Sequence, residues 1–164
     1  MTDHELLDRA IALALASEAR GGLPVGAVIG LAGTILAEGT SDVIGPPYHP
    51  GRHAETTALA RVPIELWPRA SEMVVVSTLE PCVMCFGACL LHGIGRIVFG
   101  AIDTRGGARF IREHLPPYYS DRGSTVRGPT WEGPLDPERC DPLYRRTDAR
   151  FSSLPCGDHP LRRG

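Results

Sequence analysis

Residues 2 to 101 alternate helical and extended apolar patterns in the order α-β-β-α-β-α-β, an order that neither an all-helical nor an all-strand fold accommodates. Residues 2–19 predict a helix. Thr2 and Glu5 have the spacing of a capping box, and Leu6, Leu7, Ala10, Ile11, Leu13 and Ala14 lay an apolar stripe along one face. Gly21-Gly22 ends it. Two apolar, partly β-branched runs, 25–31 and 34–38, flank Ala32-Gly33 and read as a hairpin. A polar, proline-rich stretch over 39–51 reads as a loop, and 53–61 as a short helix. Residues 73–78, which open on the apolar run Met73-Val74-Val75-Val76, suit a buried strand. Residues 82–92 fit a helix stopped by Gly93 and Gly95, and 97–101 a second buried strand. The pattern predicts an α/β fold of three layers, α-β-α, with a mixed sheet between helices.

Past residue 102 the periodicity weakens. From Pro116 onward the chain holds eight of its 15 prolines, so an irregular Pro/Arg-rich segment is expected from about 103, with a short helix over 138–150. A length of 164 residues suits one domain with a real core, and no repeat or linker divides it, so 1–164 reads as a single domain.

Composition narrows the chemistry. The chain has no lysine, asparagine or glutamine, and all 17 basic residues are arginine. Without lysine there is no Schiff-base enzyme, pyridoxal anchor or phosphate-binding loop; without asparagine there is no Cys-His-Asn triad or N-glycosylation site. A net charge of -2 and a pI near 6.3 argue against nucleic-acid binding driven by bulk electrostatics. No long apolar run and no export signal are visible, so a soluble, cytoplasmic protein with no membrane partner is expected. Five cysteines are too few and too unevenly placed for a disulfide scaffold, and Cys140 and Cys156 are expected as reduced thiols.

Two motifs carry chemistry: His53-Ala54-Glu55, and Pro81-Cys82-Val83-Met84-Cys85. Each opens a predicted helix. Two cysteines three apart at a helix start can present both sulfurs to one ion, and the helix dipole favours thiolates there. One histidine nitrogen from a neighbouring helix start makes three protein ligands. Zinc prefers four, so a position stays open for water, which is the arrangement of a catalytic site. Glu55, two residues beyond the histidine, can reach that water, take its proton and return protons to a ring nitrogen and a leaving group. A lone CxxC equally describes a redox pair or two buried cysteines, and a lone HxE describes little. Together at helix starts they form the signature of zinc deaminases. Cys89 and His92 lie one and two turns beyond Cys85 and run away from the metal end, toward core or pocket.

On these residues the chain resembles the cytidine deaminase-like superfamily, in the branch of bacterial tRNA adenosine deaminases, guanine deaminases and fungal cytosine deaminase. The resemblance covers roughly residues 5 to 105. It is carried by Pro24-Val25-Gly26-Ala27-Val28, His53-Ala54-Glu55, Glu80-Pro81-Cys82-Val83-Met84-Cys85-Phe86-Gly87-Ala88 and Gly95-Arg96-Ile97-Val98-Phe99-Gly100-Ala101. It implies a five-stranded sheet flanked by helices, a homodimer, and hydrolytic deamination of an amino-substituted heterocycle with release of ammonia. It also implies His53, Cys82 and Cys85 as ligands of one Zn2+ per chain, and Glu55 as the catalytic proton shuttle. Backbone groups at Ala54, Leu79 and Glu80 would hold the base edge, and His92 is a further substrate-contact candidate. Members of this branch usually carry a ring-gripping asparagine about a dozen residues before the motif histidine. This chain has Glu38-Gly39-Thr40-Ser41-Asp42 there, so Ser41 or Asp42 becomes the candidate substrate contact.

Three substrate readings compete. A tRNA-editing enzyme needs a basic surface, yet from residue 101 on 11 arginines face nine acids and are interleaved with them. A guanine-deaminase type closes its pocket with C-terminal residues, for which Phe110, Tyr118, Tyr119 and Trp131 are candidates. A cytosine-deaminase type is echoed by His92-Gly93-Ile94 and Asp136-Pro137-Glu138-Arg139-Cys140. A free nucleobase or nucleoside is the expected small-molecule substrate, a guanine-like purine slightly ahead. The alternatives are tRNA-specific A-to-I editing and pyrimidine deamination. A non-catalytic zinc-binding interaction domain is a fourth reading, against which Glu55 stands.

Overall fold

The computed structural model describes residues 1–119 and 128–153. The capping box forms as its spacing requires. Thr2 Oγ1 accepts from the Glu5 N–H (3.3 Å), the Glu5 carboxylate accepts from the Thr2 N–H (2.7 Å), and α1 (Asp3–Ala19) follows. Its stripe of Leu6, Leu7, Ala10 and Ala14 is buried on the sheet. Gly26 lets α1 lie this close: a Cβ there would run into the backbone of Ala10 and Ala14.

The hairpin joins β1 (Leu23–Leu31) to β2 (Thr34–Ser41), with Ala32 and Gly33 at φ 49° and 77°, a two-residue turn of the type that follows strand twist. β2 runs past the expected boundary at 38. Gly39 and Thr40 pair with Ala27 and Gly26, and a Cβ on Gly39 would strike Ala54. The residue that looked like a strand breaker is small because α2 (Ala54–Leu59) packs on it.

β3 (Met73–Leu79) pairs antiparallel with β1 and parallel with β4 (Arg96–Ala101), and β5 (Thr130–Glu132) adds a parallel edge. The order is β2-β1-β3-β4-β5, a mixed five-stranded sheet. The β3–β4 crossover is α3 (Val83–His92), as parallel pairing requires. Alternate strand residues feed two cores. Ile29, Val75, Ile97 and Phe99 meet α2 and α3 on one face, while Val28, Val74, Val76 and Val98 meet α1 and the C-terminal helix that carries Cys140 on the other.

The C-terminal segment departs from the expected irregularity. α4 (Pro137–Ser153) is a 17-residue helix, longer than the 138–150 expected, with Cys140 and Leu143 buried. Its arginines hid the pattern because they are structural. Arg139 pairs with Asp8 (2.7 Å) and Arg146 with Glu18 (2.6 Å), tying α4 to α1. Cys140 seats against Gly100, where a Cβ would clash. Burial pushes the Cys140 thiol up to about 12, as expected of a structural rather than reactive cysteine. Cys156 lies outside the described residues. No helix among the described residues is long and apolar enough to cross a membrane.

Candidate active site

The sheet delivers the chemical residues to one end of its strands. His53 is the N-cap of α2 and Cys82 the N-cap of α3; neither side chain caps its own helix. Cys85 lies in the first turn of α3, fully buried. The ligand atoms of His53, Cys82 and Cys85 all lie within 4.8 Å of one another, and His53 Nδ1 is 3.5 Å from Cys82 Sγ. Two ligands bound tetrahedrally to zinc at ordinary N and S bond lengths stand about 3.6 Å apart, so the donor set and this spacing fit that ion. Glu55, 3% exposed, lies in the first turn of α2 beside the cluster. Its Oε1 accepts from Ser77 Oγ (3.2 Å) and its Oε2 from the Cys85 thiol (3.4 Å).

The electrostatics divide the two thiols. The neighbouring Cys85 thiol, helped by His53, pulls the Cys82 thiol down to about 4 against the effect of burial. Cys85 is held well above the ordinary thiol range by the Cys82 sulfur beside it and by burial. Burial alone would lower the His53 imidazole, but the Cys82 thiolate beside it reverses the effect and raises it. Burial raises the Glu55 carboxyl, which suits a group that must hold a proton as well as release one.

A cavity of about 160 Å3 opens over the cluster, with Ser41, Val43, Ala54, Glu55, Leu79 and Glu80 in its walls. Ser41 is buried at the end of β2 and lines this cavity as well as a neighbouring one, whereas Asp42 is exposed and lines only the neighbouring cavity, with Arg20. Of the two candidates for the missing asparagine, Ser41 is therefore at the pocket and Asp42 is not. Of the Glu80 backbone groups expected at a base edge, the N–H is donated to Ala101 O (2.8 Å). His92 does not reach the pocket. It sits exposed at the far end of α3, held by the Ala88 carbonyl (2.8 Å) and against Trp67 (4.4 Å between rings).

The expected aromatic lid is also different. Trp131 packs into the core against Phe86 and Phe99, Phe110 is exposed beneath the Arg109 guanidinium, and Tyr118 meets Tyr119 edge to face. Thr147 and Phe151 of α4 line the pocket instead, with Asp103 from the loop after β4. Ser77 had a legible signal, as a hydroxyl interrupting a buried apolar strand. Asp103 follows β4 much as Glu80 follows β3, at the strand ends where α/β sheets gather ligands.

Glu80 holds this side of the site together. Buried at 1% exposure, its carboxylate accepts from the backbone N–H groups of Asp103 and Arg109 (3.1 Å each) and from the Arg109 guanidinium. Arg109→Ala leaves that buried carboxylate with backbone partners only, so a loss of about 2 kcal/mol in unfolding free energy is expected. Urea denaturation checks it, and an unchanged midpoint would show the pair to be dispensable.

The chain is 40% identical over 121 residues to the tRNA-specific adenosine deaminase of Haemophilus influenzae, covering 69% of this chain and 66% of that protein. It is 33% identical over 117 residues to the cytosine deaminase of Candida albicans, covering 68% and 75%. A crystal structure in complex with 8-azaguanine superposes with a TM-score of 0.68 at 26% identity, over 90% of this chain and 85% of that one. The chain spans about two thirds of the adenosine deaminase and 18% of a tRNA(Ile)-lysidine synthase of Deinococcus radiodurans, to which it is 37% identical over 113 residues. Residues 1–101 match the model of the cytidine and deoxycytidylate deaminase zinc-binding region, and the chain belongs to that family.

Proposed function

We propose that this protein is a zinc-dependent deaminase that hydrolyses the exocyclic amine of a free nucleobase or nucleoside, a guanine-like purine slightly favoured, and releases ammonia. One observation carries the reading: a buried carboxyl, Glu55, adjoins a His/Cys/Cys triad in a cavity of heterocycle size. At about 160 Å3 the cavity lies below the roughly 300–1,000 Å3 of pockets that take drug-sized ligands.

In this reading His53 Nδ1, Cys82 Sγ and Cys85 Sγ hold one zinc. When bound, zinc supplies Lewis acidity that makes water a nucleophile at neutral pH. Glu55 would accept one proton at its carboxylate as the water oxygen bonds to the ring carbon and deliver it to the ring nitrogen. It would then carry the proton of the new hydroxyl to the exocyclic nitrogen, so that the carbonyl forms, the C–N bond breaks and ammonia leaves. Ser77 keeps the carboxyl aimed by donating to Oε1. Ser41 and the backbone at Ala54 orient the ring, and apolar Val43 and Leu79 exclude bulk water. Homodimerisation belongs to the same reading, because α3 exposes Val83 and Met84 and has open space at Gly87.

The identity to tRNA-specific adenosine deaminase favours a second reading, A-to-I editing. Against it stand the interleaved charges of the C-terminal third and the α4 side chains that close over the pocket. Ammonia release from guanine, adenine, cytosine, their nucleosides and an anticodon stem-loop RNA separates the readings. Turnover of the small molecules is expected; turnover of the RNA alone would replace the first reading with the second.

A further inference from the structure

The pocket over Glu55 continues outward. A second cavity of about 430 Å3 shares four wall residues with it, Asp103 and Thr147 among them. Its other walls include Arg105, from the loop after β4, and Tyr144 and Asp148, one turn apart on α4. From this chamber we infer that the substrate is a nucleoside, whose uncharged, hydroxylated sugar fills the outer cavity while the base sits over Glu55. The inference rests on the deaminase reading above and narrows it.

Size is the first ground. The inner cavity accommodates a ring alone, so a free base leaves the larger chamber without a role. The second is that the chamber wall is built. Asp103 Oδ1 accepts from the N–H groups of Arg105 and Gly106 (2.9 Å each) and from the Tyr144 hydroxyl (3.1 Å). Tyr144 also shares a hydrogen bond with Thr104 Oγ1 (3.1 Å), and Arg105 Nη1 donates to Asp148 Oδ1 (2.6 Å), fixing the loop to α4. Asp103, which lines both cavities, has an Oδ2 that accepts from none of the described residues. A carboxylate acceptor beside the Tyr144 phenol oxygen and the remaining guanidinium N–H groups of Arg105 suits a polyol.

Charge is the third ground. Among the lining residues, two carboxylates, Asp103 and Asp148, face one guanidinium, Arg105, which is itself already paired. That balance repels a phosphate. It separates a nucleoside from a nucleotide, and equally from the sugar-phosphate chain of an RNA.

The test is kcat/KM of the zinc-loaded protein for each base, its nucleoside, its nucleoside 5′-monophosphate and an anticodon stem-loop RNA. Two added hydrogen bonds predict a nucleoside favoured over its base by about tenfold, and the wall charge predicts a monophosphate disfavoured by a similar factor. Asp148→Asn removes one negative charge, so discrimination against the monophosphate should narrow by roughly fivefold. A base used as well as its nucleoside overturns the chamber's role while leaving the deaminase reading intact. So does a monophosphate or RNA preferred over the nucleoside. If nothing is deaminated the reading of the reaction fails, and equilibrium binding of the same compounds then decides the chamber: tighter nucleoside binding keeps it, equal affinities remove it.

Discussion

Glu55→Gln is expected to retain one zinc per chain and to lose roughly a thousandfold in kcat, the scale of a proton-transfer role. The substitution is nearly isosteric, and the amide oxygen can still accept from Ser77. The amide carries no transferable proton at neutral pH, so both activation of water and protonation of the leaving nitrogen fail together. Stability should not fall with activity. Glu55 is buried, and replacing an ionisable carboxyl with a neutral amide removes a desolvation cost. Parallel measurement of kcat, zinc content and Tm resolves these claims; turnover within tenfold of the parent would remove Glu55 from the reaction.

Cys85→Ser is expected to abolish stable zinc binding and turnover together. A hydroxyl is a poor substitute for a thiolate toward zinc, and losing a direct ligand should weaken the metal by more than the about 10–100-fold typical of an outer-shell partner. Because metal that binds only the native state adds to its stability, this variant should melt at the temperature of the chelator-treated parent. Cys89→Ser is the control. Cys89 is equally buried one turn further along α3, but it stands outside the triad and burial raises its thiol above the ordinary range. It should keep zinc. Retention of one zinc per chain by Cys85→Ser, or its loss in Cys89→Ser, would redraw the ligand set.

Most of the site is legible in the sequence because its residues sit where elements begin. His53, Cys82 and Cys85 stand out through two motifs taken together and a family resemblance, and helix starts bring their ligand atoms within 4.8 Å of one another. Ser41 and Asp42 could not be separated until β2 proved to run through Ser41, since a one-residue change in where a strand ends exchanges the buried neighbour for the exposed one. His92 was misplaced because a helix that presents its first turn to the pocket carries its last turn away from it. The pocket's outer wall was the least legible part. Thr147 and Phe151 belong to a helix whose buried face is narrow and whose arginines, paired with acids on α1, read as a charged tail. Tertiary ion pairs, unlike helix starts, have no local spacing to reveal them.

The proposed deamination of small heterocycles requires zinc and Glu55 together. Titrating zinc into chelator-treated protein while following ammonia release from the nucleobases and nucleosides tests it most directly. Activity should rise in proportion to zinc, saturate at one ion per chain and be absent at every zinc level in Glu55→Gln. A protein that binds one zinc per chain and releases ammonia from none of these compounds, or releases it equally without zinc, would contradict the account.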